Sequence, residues 1–182
     1  MNANIDLSNV ILKTKRLILR PFTFDDLDDF YEYAKVPGIG EIAGWHHHQN
    51  NGESLFILNM FINEKKTFAI EYEGKVIGSL GIEEYDEKLF PDLENKLGRS
   101  LGFVLSKDYW GLGLMPEAVK EVIRYCFDDL KLDFLVGVFF SFNNQSKRVF
   151  EKCGFEYQVT ITKEVLNETR ESVIVKLINN KK

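Results

Sequence analysis

Cysteine is scarce. There are two in 182 residues, Cys126 and Cys153, and no CxxC spacing. Both sit in apolar, helix-like stretches, so they read as reduced, buried thiols and exclude a disulfide framework. Proline is scarce too, at four. No tract is rich in Pro, Gly or Ser, and there is no internal repeat or low-complexity segment. A single domain over residues 1–182 is expected. No apolar run approaches the ~20 residues of a membrane span. The opening "MNANIDLSNV" lacks the basic-then-apolar order of a signal peptide. The expectation is a cytoplasmic protein that does not engage a membrane. Excess positive charge is also missing, with 23 Lys and Arg against 28 Asp and Glu, a net −5. That argues against broad nucleic-acid binding and mildly favours cationic partners such as amines.

What is present is an ordinary globular composition, 45% hydrophobic and 28% charged. "RLILRPF" (Arg16 to Phe22) predicts a strand that stops at Pro21, which cannot donate to a ladder. Thr23 follows as a helix cap, with Asp25 and Asp26 in a first turn. Leu27, Phe30, Tyr31 and Ala34 recur at helical spacing up to Pro37. "GIGEIAGW" reads as a loop, and a second helix is expected over Glu53 to Asn63. "TFAIEYEGKVIGSLGIEEY" predicts a hairpin turning at Glu73-Gly74. "DEKLFPDLENK" reads as a polar, exposed insertion, and "RSLGFVLS" as another strand. Ala118, Val119, Val122, Ile123, Cys126 and Phe127 mark one face of a helix. "FLVGVFF" predicts a strand covered on both faces. A short helix over Ser146 to Lys152 ends at Gly154. "FEYQVTITK" and "ESVIVKLI" alternate and predict a final hairpin. This order fits an α+β fold with a mostly antiparallel sheet better than repeated βαβ units.

Two stretches carry chemistry. In "DYWGLGLMPEA" two glycines stand one residue apart before a helix. Glycine permits positive φ and close approach to the main chain. A helix start offers unpaired N–H groups and the positive end of a dipole. Together they suit an anion, most often phosphate, though a tight turn needs the same residues. Neither the Walker pattern nor GxGxxG is present, since Pro116 stands at the third glycine. In "FNNQSKRVFEKCGFE", Asn143 and Ser146 bracket a helix start; alone, both read as capping residues.

In combination these stretches resemble the GNAT superfamily of acetyl-CoA-dependent N-acetyltransferases, and within it the ribosomal-protein-alanine acetyltransferase-like (Rim-type) branch. "LKTKRLILRPFTFDDLDDFYEYA" resembles that branch's opening strand and helix, "KVIGSLGI" its central hairpin strand, and "AGWHHH" followed by "ES" an Ala-Gly-Trp-x-x-His segment of a bacterial subgroup. The likeness spans Leu12 to Tyr157 in the expected order. It implies a GNAT-type fold whose central sheet is splayed at its middle, with acetyl-CoA as co-substrate in the resulting V-shaped cleft. It implies that the backbone of Phe103, Val104 and Leu105 pairs with the pantetheine amides. It implies that the N–H groups of Trp110, Gly111, Leu112, Gly113, Leu114 and Met115 hold the pyrophosphate. Asn143 and Ser146 are implied to face the far arm of CoA or the thioester, and Trp45 and His48 to line the acceptor pocket. Lys107 and Lys147 are within possible reach of phosphates, or else lie on a solvated face.

Two positions depart from the family pattern. Asp108 stands where Gln or Arg often begins the phosphate loop, and is expected to point outward. Phe150 stands where many members carry a tyrosine as general acid, which leaves Ser146, a water, or departure of the unprotonated thiolate. The implied reaction is direct attack by a primary amine, small or a protein N-terminus, on the thioester in a ternary complex. Glu83 and Glu84 are the candidate bases; neighbouring strand residues face opposite ways, so at most one points in. His48 is a second candidate, having a near-neutral natural pKa. The triplet His46-His47-His48 does not suit one metal ion, and none is expected. A non-catalytic acyl-CoA-binding sensor on the same scaffold is the alternative function. A monomer or homodimer is expected, with the C-terminal hairpin as a plausible interface.

Overall fold

The computed structural model describes residues 1–181. Its strands are β1 (Leu12–Lys13), β2 (Leu17–Pro21), β3 (Thr67–Tyr72), β4 (Lys75–Glu83), β5 (Gly98–Leu105), β6 (Phe134–Phe140), β7 (Glu156–Val165) and β8 (Glu168–Ile178). They form one eight-stranded sheet in the order β1-β2-β3-β4-β5-β6-β8-β7. Every neighbouring pair is antiparallel except β5 and β6, which run parallel. The helices are α1 (Leu27–Ala34), α2 (Asn51–Glu64), α3 (Leu114–Arg124) and α4 (Asn144–Lys152).

Local chemistry explains most of these elements. Leu17 and Leu19 alternate into the core while Ile18 and Arg20 stay partly exposed, the half-buried strand pattern. Asp26 accepts from Nη1 and Nη2 of Arg20 and from the Thr23 N–H, which fixes the entry to α1. The β3–β4 turn places Glu73 at φ 51° and Gly74 at φ 81°, the two positive values a tight hairpin turn needs. Asn50 caps α2 by accepting the Glu53 N–H at 3.1 Å. Helix α3 buries Leu114, Met115, Ala118, Val119 and Val122 against the sheet and runs on into a π-type turn over Tyr125–Asp129. Cys126 and Cys153 are both free. Burial pushes the Cys126 thiol up to about 12 and the Cys153 thiol to about 11.

One region differs from the sequence reading, and another adds to it. The insertion from Asp86 to Lys96 is not simply an exposed loop. It forms two short 3-10 turns that bury Phe90 and Leu93 in a cluster with Tyr85, Phe134, Val136 and Ile174. Its many charged residues mask two apolar anchors. The first residues also join the core, with Ala3, Ile5 and Leu7 buried and Asn2 bridging to Gly98.

Candidate active site

The parallel pair holds for only four residues on each side. Its register runs from Gly98 opposite Phe134 to Leu101 opposite Gly137. Beyond that point Gly102–Leu105 pair only with β4, and Val138–Phe140 only with β8. The strands have parted, and the β6-facing backbone of Gly102, Phe103 and Val104 has no strand partner among the described residues. Phe150 stands where they part. It is 2% exposed, and its ring centroid lies 5.1 Å from Phe103, 5.8 Å from Phe139 and 4.9 Å from Phe155. Gly137 makes room for it: a Cβ there would overlap Cε1 and Cζ of the ring and lie 2.8 Å from Cδ1. The position where a phenol was expected by resemblance therefore holds an apolar wedge.

The opening leads into a cleft of about 1210 Å³, above the usual ~300–1,000 Å³ of small-molecule pockets and large enough for two substrates. Phe103, Val104, Leu105, Trp110, Gly111, Gly113, Leu114, Met115, Asn143 and Ser146 all line it, as do Trp45, His48 and Glu83. Leu112 does not line it and is 51% exposed. The Leu105 carbonyl is partly spent, accepting the Trp110 indole N–H at 2.9 Å. That bond ties the glycine loop to the strand end.

The loop itself is built as the sequence suggested. Gly111 and Gly113 have φ of 80° and 75°, so side chains are disfavoured at both. The Trp110 N–H is not available, because it donates to Lys107 O. The N–H groups of Gly111, Leu112, Gly113, Leu114 and Met115 have no acceptor among the described residues. They precede and open α3, where the dipole adds positive potential. Arg16, for which the sequence suggested no role beyond a strand start, flanks this loop. Its guanidinium donates to Leu112 O at 3.0 Å and to Glu117 at 2.7 Å, and Glu117 also accepts Thr14 Oγ1 and the Arg16 N–H. The carboxyl of Glu117 sits below its ordinary range, because these hydrogen bonds outweigh the opposing effect of burial. Asp108 is exposed and does not line the cleft. Lys107 is held by Pro37 O at 2.6 Å, and Lys147 lies 4.0 Å from Glu151. Arg148 and Lys152, one turn apart on α4, line the cleft instead and make no ion pair among the described residues.

Asn143 caps α4, accepting the Ser146 N–H at 3.1 Å. Its amide also donates to Ser146 Oγ at 3.0 Å and to Ile42 O at 3.1 Å. Capping and a place in the cleft thus coincide, and the cap ties α4 to the loop that carries Trp45. The structure separates the two carboxylates. Glu83 lines the cleft, with Thr67 Oγ1 at 3.4 Å and Lys66 Nζ at 3.5 Å. Glu84 does not line it; it lies 3.6 Å from the buried guanidinium of Arg99.

Two of the three histidines are engaged, and His46 lines the cleft. His47 Nδ1 pairs with Glu41 at 2.8 Å. Burial raises the Glu41 pKa, but hydrogen bonds from the His47 ring and from the amides of His47 and Gly38 prevail and hold the carboxyl at about 2. His48 is buried, shares a 2.7 Å hydrogen bond with Ser54 through Nδ1, and rests against Trp45 and Phe30. Burial lowers its pKa. No group of three or more metal-ligating side chains occurs among the described residues. No helix there is long and apolar enough to cross a membrane.

Residues 16–156 match the sequence profile of the acetyltransferase (GNAT) domain. The chain belongs to the GNAT acetyltransferase family. It is an acetyl-CoA-dependent N-acetyltransferase. An uncharacterised N-acetyltransferase of Bacillus subtilis, YoaA, is 29% identical over 153 residues, which cover 80% of this chain and 82% of the relative. Solved structures share the fold. The ribosomal-protein-S5-alanine acetyltransferase of Vibrio fischeri superposes with a TM-score of 0.70 at 16% identity, covering 94% of this chain and 98% of that one. The microcin C7 self-immunity acetyltransferase MccE, solved with acetyl-CoA and AMP, gives 0.78 at 17% identity, covering 96% and 99%. The family brings acetyl-CoA as co-substrate, and the residues present fit it: five unspent amides in the glycine loop, a parted strand edge beside them and the two unpaired cations of α4 on the cleft.

Proposed function

We propose that the enzyme transfers the acetyl group of acetyl-CoA directly to a primary amine while both substrates are bound. The observation that carries this reading is the parted β5–β6 edge opening beside the five unspent amides of the glycine loop. The thioester supplies the activated acyl group; the protein supplies position and polarity. The amides from Gly111 to Met115 hold the pyrophosphate, and the free edge of Phe103 and Val104 pairs with the pantetheine arm. A backbone N–H near Phe103 faces the developing oxyanion. Holding amine and thioester in line supplies several kcal/mol, toward the ~7–11 of well-oriented models.

Proton traffic falls to two groups. Glu83, directly or through water, takes the proton from an ammonium whose natural pKa is about 8 to 10.4. Ser146, whose hydroxyl accepts from Asn143 and so keeps its own proton to give, protonates the departing thiolate. Trp45 and His48 form the acceptor wall.

The test is calorimetric titration with acetyl-CoA, then thiol release against a panel of amines and peptides. Saturable binding with turnover supports transfer. Binding without turnover on any amine supports the non-catalytic sensor instead. Absence of binding refutes both. Ser146→Ala separates acid from ligand: loss of turnover with acetyl-CoA affinity kept supports the acid role, and equal loss of both makes Ser146 a binding residue.

A further inference from the structure

The acceptor arm of the cleft is unusual in its chemistry. Trp45, Phe56, Ile57, Met60 and Phe61 line it together, four of them from α2. That helix has apolar residues almost all round. Leu58 is buried in the core, yet Phe56 is 65% exposed and Met60 38% exposed. A helix with apolar residues on its outer face is expected to be covered on that face. Leu55 faces away, beside Phe24, but Phe56 and Met60 border the reaction cleft, so what enters it can cover them. Anionic groups are few. The only carboxylates among the described cleft residues are Glu53 and Glu83. Glu53 accepts the Gln49 N–H at 2.7 Å, and Glu83 has Lys66 at 3.5 Å. The net charge of −5 is therefore spent elsewhere, and Lys163 adds a cation to the lining.

Resting on the acetyl-transfer reading above, we infer that the acceptor is a singly charged amine carried on an apolar, preferably aromatic body. Polyamines and amino sugars bring several cations, and each must be desolvated or paired. Two engaged carboxylates cannot serve them. A single ammonium placed near Glu83, with a ring lying on Phe56, Met60 and Trp45, uses both the charge and the uncovered apolar surface. Methionine and aromatic side chains adapt to such a body and gain from ring contact. Two sources share this chemistry, a free arylalkylamine and a peptide N-terminus whose first side chain is large and apolar.

The experiment measures kcat/KM by thiol release with phenethylamine, a Phe-Gly-Ser peptide, ethanolamine and spermidine, and binding of each amine to the CoA-loaded protein. Burying one ring is worth ~10–100-fold, so phenethylamine or the peptide should exceed ethanolamine by at least about tenfold. Spermidine should gain nothing over ethanolamine. Whichever of the two aromatic acceptors leads names the source. Phe56→Ser with Met60→Ser should erase most of the aromatic advantage through KM and leave acetyl-CoA affinity unchanged. Equal use of all amines, preference for spermidine, failure of the aromatic amines to bind the CoA-loaded protein, or an advantage that survives the double substitution each overturns the inference while acetyl-CoA still binds. Failure to bind acetyl-CoA at all overturns the transfer reading itself.

Discussion

Gly137 and Phe150 are the pair on which the cleft depends, and Gly137→Ala is the perturbation that exposes it. The added Cβ would overlap two atoms of the Phe150 ring and stand 2.8 Å from a third. A ring cannot yield as a flexible chain end can. Phe103, Phe139 and Phe155 hold the Phe150 ring at centroid distances of 5.1, 5.8 and 4.9 Å, so the direction left to it is toward the cleft it lines. Overpacking of this kind costs about 1–3 kcal/mol. For a chain of this size that lowers Tm by about 3–10 °C. The displaced ring pushes on Phe103, so acetyl-CoA affinity should fall as well, by about tenfold.

A double-mutant cycle makes the argument refutable. Phe150→Leu alone should cost about 1 kcal/mol through lost ring contacts. Combined with Gly137→Ala it should cost clearly less than the sum, with a coupling of at least ~1 kcal/mol, because the smaller side chain admits the new methyl. Chemical denaturation gives the stabilities and calorimetry the affinities. Additive costs, or a Gly137→Ala protein as stable and as tight for acetyl-CoA as the parent, would refute the wedge account of why β5 and β6 part.

Other substitutions probe the remaining parts. Gly113→Val forces a β-branched residue to φ 75°, where left-handed backbone costs ~1–2 kcal/mol, so a folded variant should bind acetyl-CoA about tenfold more weakly or worse; unchanged binding would remove the loop from the site. Glu83→Gln should cut kcat/KM for the amine with little change in Tm. Glu84→Gln should do the reverse, lowering Tm by weakening the partner of buried Arg99 while turnover persists. Glu41 sets a pH dependence. Its folded pKa is held down at about 2, below the ~4.3 of a free carboxyl, so its contribution is complete above ~4.3 and is lost as pH falls from there through about 2. Trp45 emission should shift across that window, and Glu41→Gln should show the acid-state emission already at neutral pH.

Motifs that act through the backbone were the most legible in the sequence. Glycine at 111 and 113 before a helix permits positive φ and leaves amides free at the helix start, and the structure has both. The hairpin turn at Glu73-Gly74 and the cap at Asn143 are local in the same sense, whereas Ser146 lies inside α4 and caps nothing. What pairs across the sheet was not legible. Alternation says that Glu83 and Glu84 face apart, but which one meets the cleft depends on the register of β4 against β5 and on where Arg99 lies. Phe150 looked like a lost acid when set against a pattern. Only its three ring neighbours and the bare Gly137 beneath it identify a wedge. Arg16 was hidden in an ordinary strand start; its role at the glycine loop comes from Glu117, more than a hundred residues away. Local charge misled. Acidic and basic residues around Phe90 and Leu93 concealed a buried cluster, and a net negative total, which suggested a cationic partner such as an amine, says nothing of the rings and aliphatic chains that line the cleft around Trp45, Phe56 and Met60. Composition averages over a surface, whereas a binding site samples a few residues of it. The acceptor question therefore turns on Phe56 and Met60, whose exposure no periodicity in α2 announces because that helix is apolar on nearly every side.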